Sequence, residues 1–431
     1  MLENYIRRSC SRIFTGEQEI ALKNEVPSLA ELHEKFQDIE ETGIYLHIPF
    51  CEQICPYCPY NKEIYDPAAA QEYVSAVKKE IELYAEILNR KPVTSFYIGG
   101  GTPTTMLHSG LEEMIGYIYE KFNMQCDIHL ESHPNHLNQE NLEKIKALGV
   151  QNLSIGMEAL QDRHLKTLHR PYDAAAAQEA VNRAVSMNFK CVNADFIFAL
   201  PDQTEEEVKK AGEMLVNIGV DQVAAYPLFR FPYTKMGSMG KVDNFHLSTI
   251  FKRRKMLRIL EKIFYGSGYE RSSVWAFTRK GQEKYCSVTV PLYIGLGASG
   301  GTYLKDIFYL NTFNVSEYIS SMEKRGNAFA LSIDLSAKLQ MAGWLYWRIY
   351  ETKFRKADFK KRFGRDFDTL FGRYTKFLAL LGFLKDDSEQ VILTNRGTFW
   401  LHAFEDIFSI DYISTLWGTS KQNPWPEKVV L

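Results

Sequence analysis

Between residues 43 and 226 the chain repeats one pattern: a short β-rich apolar run, a turn, then a longer amphipathic stretch. The strand-like runs fall at 44–48, 93–98, 126–131, 152–156, 191–198 and 222–226. Helical periodicity falls between them, at about 68–90, 109–122, 138–148, 174–188 and 204–218. Strands alternating with helices of this length predict parallel βαβ units, hence an α/β class. Their crossovers are right-handed, so six successive units predict a partial (β/α)6 barrel. A doubly wound open sheet is the alternative that the pattern allows. In a barrel the C-terminal strand ends carry the chemistry.

Past residue 226 the pattern breaks. Residues 250–266 read as a basic helix and 268–304 as extended and Gly-rich. A helical module follows, with helices at 337–348 and 369–381 and a hairpin at 382–393. Within it Phe354, Phe359, Phe363, Phe367 and Phe371 form an apolar stripe at four- or five-residue spacing. Helix, helix, hairpin is the order of an α+β winged-helix-like domain. The expected division is a leader over 1–42 packed on the barrel, the barrel over 43–235, an extension that covers substrate over 236–329, and the C-terminal domain over 330–431.

A length of 431 residues is about three times the usual domain prior of ~150, which fits this division. Lys plus Arg number 51 and Asp plus Glu 53, for a net charge of −2. That balance gives no electrostatic reason to expect nucleic acid or an anionic membrane as partner. The nine basic side chains against four acidic over 351–376 therefore read as a solvated helix face. No apolar run is long enough to span a membrane, and Arg7, Arg8 and Arg12 are not followed by a signal-peptide core. A soluble, cytoplasmic protein is expected, where thiols stay reduced.

Seven cysteines are too few for a disulfide scaffold, yet three of them fall within eight residues: Cys51, Cys55 and Cys58. The loop His47-Ile48-Pro49-Phe50-Cys51-Glu52-Gln53-Ile54-Cys55-Pro56-Tyr57-Cys58 directly follows the first strand-like run. Zinc normally takes a fourth protein ligand, and His47, four residues before Cys51, is the nearest candidate. Three thiolates without an obvious fourth suit a four-iron, four-sulfur (4Fe–4S) cluster with one open iron. Cys10, Cys126, Cys191 and Cys286 are isolated and read as small buried hydrophobes.

Five further stretches accompany that loop: Gly99-Gly100-Gly101-Thr102-Pro103-Thr104, Glu131 within 129–137, Ser154-Ile155-Gly156-Met157-Glu158, Arg170, and Asp195 through Thr204. Leu393-Thr394-Asn395-Arg396-Gly397 closes the C-terminal module. With these stretches, about residues 43–430 resemble the radical S-adenosylmethionine (SAM) superfamily. Within it the chain resembles the oxygen-independent coproporphyrinogen III oxidase group. The resemblance implies that Cys51, Cys55 and Cys58 hold a 4Fe–4S cluster and that SAM chelates its open iron. One electron then releases methionine and a 5′-deoxyadenosyl radical, which abstracts hydrogen from substrate.

The same resemblance places Tyr45, Tyr57 and Glu158 along the SAM site. Gly100, Gly101 and Thr102 stand near the methionine amino group, where glycine permits close backbone approach. Glu131 holds the amino or ribose end, Arg170 reaches the carboxylate, and Asp195 accepts a hydrogen bond. A tetrapyrrole is the implied substrate, with Arg230 and Lys235 available for its carboxylates, and flavodoxin or ferredoxin is the implied electron donor. Two departures stand out: Pro59-Tyr60 follows Cys58 where the oxidases usually carry a further cysteine, and Glu158 stands where Gln is usual.

Two relatives of that chemistry stay open, a radical methyltransferase that uses two SAM molecules and a haem chaperone. The chaperones usually carry a His-Asn-x-x-Tyr-Trp stretch, and residues 285–293 contain no His. Gly295-Leu296-Gly297-Ala298-Ser299-Gly300 fits the dinucleotide fingerprint literally but lacks its βαβ context. It reads as a turn against the active site.

Overall fold

The computed structural model describes residues 19–239, 247–285 and 292–431. Cys10 and Cys286 lie outside the described residues, as does most of the stretch 285–293.

Six parallel strands form the centre: β1 Thr42–Ile48, β2 Pro92–Gly100, β3 Ile128–Ser132, β4 Val150–Glu158, β5 Cys191–Phe198 and β6 Gln222–Pro227. They neighbour one another in chain order, each pair parallel. Helices α1 Pro67–Leu88, α2 Leu111–Lys121, α3 Gln139–Ala147, α4 Ala174–Ser186 and α5 Glu205–Ile218 make the crossovers. Side chains fix where these helices start. Asp66, Asn138, Asp173 and Thr204 each accept a first-turn N–H, and Thr204 with Glu207 completes a capping box. The strands are buried on both faces, and one continuous core runs through strands and helices.

The parallel sheet does not close on itself. Beyond β6 it continues antiparallel through Ala276–Arg279 and Tyr269–Arg271. On the other edge β7 Tyr293–Leu296 pairs parallel with β1, and an antiparallel series follows it. That series ends in Phe329–Asp334, Ala21–Lys23 and Lys428–Val430, so the two ends of the described chain pair in the same sheet.

After helices α6 Leu247–Gly266 and α7 Ala337–Tyr350 comes the winged-helix-like unit. It comprises Lys353–Arg355, α8 Lys356–Phe363, α9 Phe367–Leu380, Leu384–Asp386 and Gln390–Leu393. Three of these pieces form a separate small sheet. The five phenylalanines are not on one helix: Phe354 is in the first strand and the rest are on α8 and α9. They meet because those elements fold back around one core, where Phe359 is fully buried and edge-on to Trp344, Phe367 and Phe371.

The expected boundaries of the first and last units blur for the same reason. Within the leader, Leu32 and Phe36 are fully buried in the main core and Ala21–Lys23 is a sheet strand. The strand Phe329–Asp334 straddles the expected boundary at 330, and it, the far half of α10 Asn395–Gln422 and Lys428–Val430 belong to the barrel side.

Candidate active site

The strand ends build the site. β1 runs through Pro49 into a loop that closes on itself, because Phe50–Cys51 pairs with Glu63–Ile64. Cys51 is buried, and Cys55 and Cys58 are half-buried. Thr102 Oγ1 donates to Cys51 Sγ at 3.4 Å, and Arg170 Nη1 to Cys55 Sγ at 3.2 Å. Burial pushes the Cys51 thiol up to about 12 and raises Cys58 as well. Such thiols ionise only when metal takes the proton's place. Among the described residues no three His, Cys, Asp or Glu side chains are gathered tightly enough for a single ion. A four-iron cluster takes each thiolate on a different iron and can leave one iron open, so three cysteines suffice. Three cysteines on one loop fit such a cluster.

Both ring nitrogens of His47 are engaged away from the three thiols. Its Nδ1 faces the Tyr45 hydroxyl at 2.8 Å and its Nε2 the Asn61 carbonyl at 3.0 Å. Its ring packs under the glycine run: a Cβ on Gly100, whose φ is +114°, would lie 2.5 Å from His47 Cε1. A Cβ on Gly101 would lie 2.8 Å from the Phe50 carbonyl oxygen. Only glycine lets β2 end this close to the cysteine loop.

Glu131, at the end of β3, accepts from the Tyr97 hydroxyl at 2.5 Å and from Gly100 N–H at 3.0 Å. Burial raises its carboxyl above the usual range. Asp195 accepts from Ser154 Oγ at 3.0 Å and Asn193 Nδ2 at 2.9 Å. Burial, with Glu158 and Glu131 nearby, pushes it up to about 8. Burial thus favours its neutral form more than that of an ordinary carboxyl.

Glu158 ends β4 with φ at +64°, a conformation that costs a non-glycine residue free energy. Its carboxylate meets the Tyr226 hydroxyl at 3.2 Å and Arg170 at 3.7 Å. Arg170 also donates to the Gly156 carbonyl at 2.6 Å and the Tyr172 hydroxyl at 2.7 Å.

These groups face one cavity of about 470 Å³. Cys51, Cys55, Tyr57, Cys58, Gly100, Gly101, Thr102, Glu131, Glu158, Arg170 and Asp195 all line it. Tyr45 does not. It stands behind the wall, stacked on Tyr97 at 6.1 Å, in a small cluster with buried Cys191. Arg230 and exposed Lys235 are also not among the lining residues, whereas Lys62 and Lys284 are. The turn Gly295–Gly300 lies elsewhere, with Gly297 N–H donating to buried Glu80 and Ala298 N–H to Tyr73. It is a structural turn on α1.

Apart from Phe229, which lies in the aromatic stretch 226–233, the far wall comes from residues that sequence patterns do not single out. Phe229, Trp275, Tyr346 and Tyr350 supply rings, and α10 supplies His402, Asp406, Ser409, Ile410 and Ile413. His402 faces Glu405 through Nδ1 and Asp406 through Nε2, each at 3.3 Å. Burial opposes its ionisation, but those two carboxyls hold it above the ordinary imidazole range. A histidine in an aromatic helix gives no local sign that it reaches a cavity.

Fold and cavity agree with the expectation of a radical SAM domain. Residues 45–215 match the radical SAM superfamily, and the chain carries that domain. Radical SAM domains use a 4Fe–4S cluster and SAM, which the cysteine loop and its cavity fit.

The curated relatives are tetrapyrrole-related. The chain is 25% identical to "Heme chaperone HemW" of Bacillus subtilis over 82% of its own length and 95% of the relative's. It is 23% identical to the "Oxygen-independent coproporphyrinogen III oxidase" of Salmonella typhimurium, over 72% of this chain and 74% of that one. Its fold matches the coproporphyrinogen III oxidase HemN of Escherichia coli with a TM-score of 0.77 at 20% identity, covering 90% of this chain and 94% of that one. No helix of the described residues is long and apolar enough to cross a membrane.

Proposed function

We propose that this protein is a radical SAM oxidoreductase that takes hydrogen from a tetrapyrrole-type substrate, fed by a small one-electron donor such as flavodoxin or ferredoxin. One observation carries this reading. The three cysteines, Arg170, Glu131 and Asp195 line the same cavity as the aromatic wall of Phe229, Trp275, Tyr346 and Tyr350. Cys51, Cys55 and Cys58 would hold the cluster. When bound, cluster and SAM together supply one-electron reduction and a hydrogen-abstracting radical. Arg170 would take the SAM carboxylate through its planar fork. Glu131 fixes the end of β2 through Gly100 N–H. Asp195, held in place by Ser154 and Asn193, would face the bound SAM. The rings of the far wall exclude water and suit a flat, apolar substrate.

Haem carriage is the second reading, favoured by relatives named as haem chaperones that align over most of this chain. It stays second because both ring nitrogens of His402 face carboxyls, which suits an imidazolium and not an iron ligand. The test is anaerobic reconstitution with iron and sulfide, then mass spectrometry of SAM products with and without coproporphyrinogen or haem. Methionine plus 5′-deoxyadenosine, increased by coproporphyrinogen or haem, is expected. S-Adenosylhomocysteine as co-product would move the assignment to methyl transfer. Tight haem binding without SAM cleavage would replace it by haem carriage.

A further inference from the structure

Two ammonium groups with no part in the proposed chemistry hold the loop that follows the third cysteine. Lys62 Nζ donates to the Cys58 carbonyl at 2.7 Å and the Tyr60 carbonyl at 3.1 Å. Lys421 Nζ comes from the far end of α10 and donates to the Pro59 carbonyl at 2.9 Å and the Tyr60 carbonyl at 3.0 Å. The Tyr60 carbonyl thus receives both lysines.

Other contacts fasten the same spot. Trp417, one turn before Lys421, meets the Tyr60 ring at 5.9 Å. The Tyr233 hydroxyl donates to the Pro59 carbonyl at 3.2 Å, and Lys421 Nζ lies 5.0 Å from the centre of the Tyr233 ring. Both lysines direct their hydrogens to carbonyls, and no ion pair with a carboxylate accompanies either one among the described residues. Glu52, on the same loop, faces His136 instead.

Two uncompensated positive charges therefore sit on the backbone next to Cys58. Adding an electron to a cluster adds negative charge there, and nearby cations stabilise the reduced form. We infer that Lys62 and Lys421 are positioning residues for the cluster: they pin the third-cysteine loop and ease one-electron reduction of the iron centre. The electron comes from the donor; no bond is made or broken. The inference rests on the cluster assignment made above, and goes beyond it in tying the cluster's reduction to the C-terminal helix.

The test compares wild type with Lys421→Met, Lys62→Met and Lys421→Arg, all reconstituted anaerobically. Methionine keeps most of the stem and removes the charge; arginine keeps the charge. Iron content, circular dichroism and an EPR-monitored potentiometric titration are recorded for each. Each methionine variant is expected to lower the reduced-to-oxidised ratio at fixed potential about three- to tenfold, tenfold being about 59 mV for one electron. Lys421→Arg should stay near wild type. Cluster loss in Lys421→Met with full loading in Lys421→Arg would also support the inference. Equal potentials in fully loaded wild type and methionine variants would overturn it, as would cluster loss in both Lys421 variants with the fold intact. A wild type that takes up no cluster would overturn the cluster assignment itself, and the inference with it.

Discussion

Replacing Arg170 by methionine should destabilise the protein mainly through the carboxylate left behind. The side chains of Arg170 and Glu158 are 8% and 10% exposed, with 3.7 Å between their charged atoms. At an effective dielectric of about 20 that attraction is roughly 4–5 kcal/mol before desolvation. Breaking such a pair from one side typically costs about 3–5 kcal/mol, because the other charge stays buried without compensation. The Gly156 carbonyl still keeps the Tyr172 hydroxyl at 2.6 Å, so the loss centres on Glu158. Glu158→Gln added to Arg170→Met removes that stranded charge and should bring stability back to within about 2 kcal/mol of wild type. Guanidinium unfolding of the reduced, cluster-free chain, followed by circular dichroism, measures both steps. The reasoning fails if Arg170→Met unfolds at the wild-type midpoint, or if the double variant is no more stable than the single one. On reconstituted protein, Arg170→Met should also weaken SAM binding roughly 10- to 100-fold, the worth of a charge-assisted hydrogen bond.

Two further expectations concern the scaffold. Glu80 is fully buried, which pushes its carboxyl up from 4.5 to about 7. The folded state holds that proton more tightly, so this stabilisation is complete below about pH 4.5 and falls away as pH rises through about 7, by about 3 kcal/mol in all. Glu80→Gln should flatten that slope in urea unfolding between about pH 5 and about pH 8, and a slope equal to wild type would refute the assignment. Phe359→Ala should cost the winged-helix-like unit about 3–5 kcal/mol, read as an early calorimetric transition. A loss below about 1 kcal/mol would mean that its ring cluster is not the unit's core.

The barrel was legible because each strand is long enough to show its pattern and each crossover helix has its own apolar face. The expected run 44–48 lies inside Thr42–Ile48, and the run 191–198 coincides with Cys191–Phe198. The near side of the cavity was legible for a different reason. Cys51, Gly100, Glu131, Glu158 and Asp195 lie on or just after consecutive strands, so order along the chain becomes order around the cavity. The far wall was not legible, because α10 is apolar on several sides and packs against both the small unit and the barrel. His402 there looks like any core histidine until tertiary packing brings Trp275 within 5.4 Å of its ring. Ala21–Lys23 and Lys428–Val430 also escaped, since three residues are too few to show alternation. Tyr45 shows the converse: it occupies the strand position that the resemblance indicates, yet it stacks on its register partner Tyr97 and is not among the residues that line the cavity.

The hydrogen bond from Lys421 to Pro59 spans 362 positions, which orders events during synthesis. At about 5–20 residues per second, the cysteine loop leaves the ribosome about 20–70 s before the helix that fastens it exists. Over that interval the three thiols are part of a nascent barrel without the α10 part of its far wall. Enclosure of the cysteine loop by α10 therefore waits until most of the described residues have been made.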